Sequence, residues 1–114
     1  MRVFRMDYDK NQKPMFIEEY GCNEPKAYDL RNNILGIHIE IIMNNYKYDT
    51  MVLYCERDNV TNEELLRALI DFRKLLENYL TTKAPISITL GSKAMLIIPK
   101  LNKFITDYIN ENNN

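Results

Sequence analysis

The stretch Gly36–Glu56, GIHIEIIMNNYKYDTMVLYCE, decides how this chain is read. It gathers the single histidine, one of the two cysteines and two neighbouring tyrosines. In its first half Ile37, Ile39, Ile41 and Met43 recur at period two, so one face of a strand is wholly apolar. Extending the run back to Ile34 adds Leu35 to that face and sets Gly36, His38, Glu40 and Ile42 on the other. Asn44-Asn45 tolerates positive φ and suits a tight turn, after which Tyr46–Glu56 returns as a partner strand. A two-residue Asn-Asn turn would pair Ile41 with Tyr48, Ile39 with Thr50 and Ile37 with Val52. It would also oppose Glu40 to Asp49, a like-charge pair that favours a longer loop and a shifted register.

Upstream, RVFRMDY alternates, with Val3 and Arg5 opposed to Phe4, Met6 and Tyr8. The turn formers of DYDKNQKP and the short run MFIEEY complete a first hairpin. GCNEPKAYDLRNN is irregular, broken by Gly21, Asn23 and Pro25.

Downstream, Thr61-Asn62-Glu63-Glu64 is a capping box, and Leu65, Leu69, Phe72, Leu76 and Tyr79 follow at helical spacing. The helix is expected over about 61–82, ending ahead of Pro85. PISITL-GS-KAMLII then reads as a second hairpin, with Gly91-Ser92 as a type II′ loop. Pro99 stops that strand and opens a short helix to about Asn110, carrying Leu101, Phe104, Ile105 and Tyr108 on one face. The expected fold is α+β: an antiparallel sheet of five to six strands in the order β-β-β-β-α-β-β-α, one long helix on a face, and a short C-terminal helix.

The length, 114 residues, fits a single domain over 1–110, with 111–114 as a disordered tail. Apolar residues at 46% can offset the entropy of ordering, so the body folds. A net charge of −1 removes the long-range attraction of a duplex-DNA binder, and no duplex DNA is expected as partner. The first twelve residues lack an apolar leader and the longest apolar run, AMLIIP, is far too short to span a bilayer. The expected location is the cytoplasm, with no membrane partner and reduced cysteines. Fourteen Asn and thirteen Ile suggest AT-rich codons, hence a low-GC bacterium or its phage, in which case a host cytoplasm.

The chemistry is sparse. His38 shares its face with Glu40, and Asp49 comes near in one register, which would allow an oriented base in a hydrolase. A partly buried histidine with one hydrogen bond is the plainer account. Cys22, Cys55, His38 and a carboxylate have no recognisable metal-ligand spacing, so neither metal nor cofactor is expected. TLGSKAM lacks the glycine spacing of a phosphate loop.

The tyrosines carry more. Tyr46, Lys47 and Tyr48 stand at a hairpin tip, and tyrosine supplies large contact area with a polar handle. Lys93, Lys100 and Tyr108 are the other candidate binding residues. The functional expectation is a small non-enzymatic regulator, inhibitor or adaptor acting through a protein surface, as a homodimer. The alternative is a binder of a small anionic ligand or nucleotide between sheet and helices.

Overall fold

A computed structural model describes residues 1–20, 33–44, 47–83 and 88–112, with the backbone alone at 33–34, 42–44, 47–50 and 88–93. Its elements are β1 (Arg2–Tyr8), β2 (Pro14–Glu19), β3 (Asn33–Ile34), β4 (Ile37–Asn44), β5 (Lys47–Cys55), α1 (Asn62–Thr82) and α2 (Ile88–Asn112). The sheet is antiparallel throughout, in the order β2-β1-β5-β4-β3. Four strands have substance, and β3 adds only a two-residue edge. The fold is α+β as expected, but with four full strands rather than five to six.

The largest correction concerns residues 88–98. They form no hairpin: α2 runs unbroken from Ile88 to Asn112, through Gly91-Ser92 and with Pro99 inside it. The reason is visible in what α2 buries. Ala94, Ile97, Leu101, Phe104 and Ile105 are all core residues, and their spacing stays helical across Pro99. Burying five apolar side chains outweighs the roughly 3 kcal/mol that an internal proline costs. The helix also includes Glu111 and Asn112, expected in the tail; Lys13 pairs with Glu111 at 3.2 Å.

Both helices pack on one sheet face. That face presents Phe4, Ile37, Ile39, Met51, Leu53 and Cys55 to Leu65, Ala68, Leu69, Phe72 and Leu76 of α1 and to the buried stripe of α2. α1 begins as its sequence dictates. Thr61 Oγ1 accepts from Glu64 N at 3.1 Å, and Glu64 reaches back to Thr61 N at 3.2 Å. Val60 and Leu65, on either side of this cap, both enter the core, as a hydrophobic staple does. Lys83 closes the helix in a left-handed conformation, its N–H donating to Tyr79 O at 2.7 Å.

The central hairpin departs from the expected register. Ile37 faces Cys55, Ile39 faces Leu53 and Ile41 faces Met51, and an irregularity between Ile42 and Met43 then sets Met43 against Tyr48. Glu40 therefore opposes Val52 rather than Asp49. The isoleucines meet apolar partners on the core side, and the like-charge pair is avoided. The run Ile34–Met43 is also not one strand. Leu35 (φ 57) and Gly36 (φ 70) form a tight turn between β3 and β4, so Leu35 leaves the apolar face and is exposed.

Candidate functional site

His38 lies on the sheet face away from the helices, opposite Tyr54. It is 5% exposed, and its Nε2 lies 2.9 Å from Glu56 Oε1. Glu56 continues the β5 ladder, with its N–H donating to Gly36 O at 3.0 Å, so its side chain is the diagonal neighbour of His38. Glu40, the sequence candidate for this partnership, is exposed one pair further along. Val3, Val52 and Tyr54 form a small buried cluster on the same face. A substrate using Nε2 as a base would have to displace Glu56, which is itself half-exposed.

Cys55 is buried in the core. Its thiol points into the core, and burial pushes its pKa up to about 11. Among the described residues, no three His, Cys, Asp or Glu side chains are placed to hold a metal.

The binding residues expected from sequence are dispersed. Tyr46 lies outside the described residues. Lys47 and Tyr48 belong to β5, where Lys47 pairs with Asn44, and their side chains are not among those described. Lys93 is on α2, again with only its backbone described. Lys100 is exposed on α2. Tyr108 is half-buried against Phe16 and Phe104, both ring centroids within 6 Å (5.3 and 5.9 Å).

That aromatic cluster is bounded by a polar knot. Tyr8 donates its hydroxyl to Asp107 Oδ2 at 2.9 Å, and Lys103 Nζ donates to the same oxygen at 2.7 Å while lying 4.6 Å from the Tyr8 ring centroid. Lys103 and Tyr8 hold the Asp107 carboxyl below its ordinary pKa. Burial, then the Asp107 bond, raises the Tyr8 phenol. Each of these groups is engaged in holding β1 to α2.

Among the described side chains of α2, the most exposed apolar surface lies two turns before Lys103. Met95 is 73% exposed and Leu96 61%, between the buried Ala94 and Ile97. Pro99 and Lys100 follow one turn on and are also exposed. A helix covering a sheet needs one apolar face, yet this segment presents a second. Sequence reasoning passed over both residues because AMLIIP was assigned to a strand. Read as a helix, their position outside the 94/97/101 stripe identifies them.

No helix among the described residues is long and apolar enough to cross a membrane. Compared with known proteins, the chain matches no family model, no curated protein and no solved structure.

Proposed function

We propose that the chain is a non-enzymatic protein-binding domain that engages its partner through the outer face of α2. The observation that carries this reading is the adjacent exposure of Met95 and Leu96, with Pro99 beside them and the Lys100 ammonium at the border. Neighbouring large apolar side chains left in water favour association, because covering them releases hydrating water. Methionine adapts its shape to an irregular partner surface. The complementary surface is an apolar one with a carboxylate placed to meet Lys100. Such a domain acts as a regulator, inhibitor or adaptor.

The test pairs folding with capture. The double variant Met95→Ser, Leu96→Ser removes only exposed apolar surface, so its Tm stays close to that of the parent chain. Cross-linking in the native cell should recover a partner with the parent chain and lose it with the variant. Equal recovery by both would overturn the proposal.

A further inference from the structure

We propose that a second copy of the chain adds to the open edge of β2, pairing β2 with β2 antiparallel about a two-fold axis at Phe16. Among the described residues β2 ends the sheet, with β1 as its only strand neighbour.

The direction of its backbone groups follows from the first hairpin. Asp9 N donates to Lys13 O at 2.9 Å, which makes that a hydrogen-bonded pair. Antiparallel pairs alternate, so Asp7 with Met15, Arg5 with Ile17 and Val3 with Glu19 are hydrogen-bonded too. Phe16 and Glu18 therefore aim their N–H and C=O groups outward, together with the carbonyl of Pro14. Proline at a sheet edge commonly discourages pairing because it lacks a donor. Here the pairing asks only for its carbonyl. The two Phe16 residues exchange N–H···O=C bonds, and each Glu18 N–H donates to Pro14 O of the other copy.

Charge and side-chain pattern select a second copy of this chain. The approach to β2 is basic, with Lys10 and Lys13, and its end is acidic, with Glu18 and Glu19. An antiparallel self-pairing opposes the two ends, whereas a parallel one would align like charges. With Phe16 on the axis, Lys13 stands opposite Glu19 of the second copy. Within one chain Arg5 bonds Oε1 of Glu19 and Lys13 pairs with Glu111, so the new contact joins two existing ion pairs. Met15, 38% exposed in the single chain, comes to lie beside Ile17 of the second copy. The result is one continuous antiparallel sheet with all four helices on the same face. This edge is separate from the Met95–Leu96 surface, since Tyr108, the α2 residue that packs on Phe16, is thirteen residues beyond Met95, about 20 Å along the helix.

Sedimentation velocity at micromolar concentration tests this, using the parent chain and Met15→Lys, whose substitution is at a partly exposed position. The expected result is a dimer for the parent and a monomer for Met15→Lys, with unchanged circular dichroism. A monomeric parent, or a dimer indifferent to Met15→Lys, overturns the proposal. Should Met15→Lys unfold, disulfide capture decides. In a Cys22→Ser background, Met15→Cys chains mixed with Ile17→Cys chains should form a reducible cross-link. No cross-link overturns the pairing.

Discussion

The hydroxyl of Tyr8 and the carboxylate of Asp107 are ninety-nine residues apart in sequence and 2.9 Å apart in space. This bond fastens the first strand to the last helix, beside edge contacts of Tyr8 and Phe16 on the Phe104 ring. Tyr8→Phe keeps the ring and removes the donor, so packing survives while Asp107 keeps only Lys103. The variant should lose a few degrees in Tm, read by thermal unfolding.

Acid should loosen the same fold. Asp107, Glu18 and Glu64 are held below their ordinary pKa values, first by Lys103, Arg2 and Arg57 respectively. Because the folded state binds these protons less readily than the unfolded chain, the associated stability is present above the ordinary carboxylate range. It is lost as pH falls through the folded values. Urea midpoints measured from neutral pH downward should decline once the pH passes below about 4.

On the alkaline side Cys55 contributes alongside Tyr8, whose phenol is also raised. Its thiol is raised from 9.0 to about 11, so the fold favours the protonated form. That contribution is complete below pH 9 and fades as pH climbs toward 11. Iodoacetamide labelling at mildly alkaline pH, followed by peptide mass spectrometry, should leave Cys55 unmodified in the folded chain and modify it rapidly in denaturant.

Pro99 offers the largest single gain. Inside α2 its ring displaces the hydrogen bond to the carbonyl four residues back, that of Met95. Its own position is exposed, so little packing is lost with the ring. Pro99→Ala should raise the unfolding free energy by up to about 3 kcal/mol, seen as a higher urea midpoint at unchanged m.

Leu35 is the converse case, a bulky residue at φ 57 and 49% exposed. Left-handed backbone costs a branched side chain roughly 1 kcal/mol, and asparagine tolerates it better. Leu35→Asn, which restores the Asn-Gly pair that such turns favour, should stabilise by about 0.5–1 kcal/mol in the same titration.

What could be read in the sequence was local. The Thr61–Glu64 box, the α1 stripe and the alternation of Ile37, Ile39 and Ile41 depend on residues within a turn or a strand of each other. Gly91-Ser92 is also a local signal, and it misled, because the pairing of Ala94 and Ile97 with the rest of the α2 stripe spans Pro99. The β4–β5 register depends on an irregularity near the hairpin tip, and one residue of slip exchanges the faces of a strand. With the register unknown, Val52 and Tyr54 could not be assigned to the face of His38, nor Glu56 to its side chain. Met95 and Leu96 shared that fate, since their exposure has meaning only once the surrounding residues are helical.

The position of β1 has a consequence for how the chain acquires this fold. β1 occupies an interior place in the sheet, with Arg2 opposite Cys55. Of its two strand neighbours among the described residues, β2 is the near one in sequence, and a lone hairpin is marginal in water. Its other edge stays open until the chain has been made past residue 55, and the covering helices come later still. The pairing of β1 with β5 is a long-range closure, of a kind that is slow by comparison with helix formation. The interval before it is when the apolar side of β1, with Phe4 and Met6, is most vulnerable to aggregation and most in need of a chaperone.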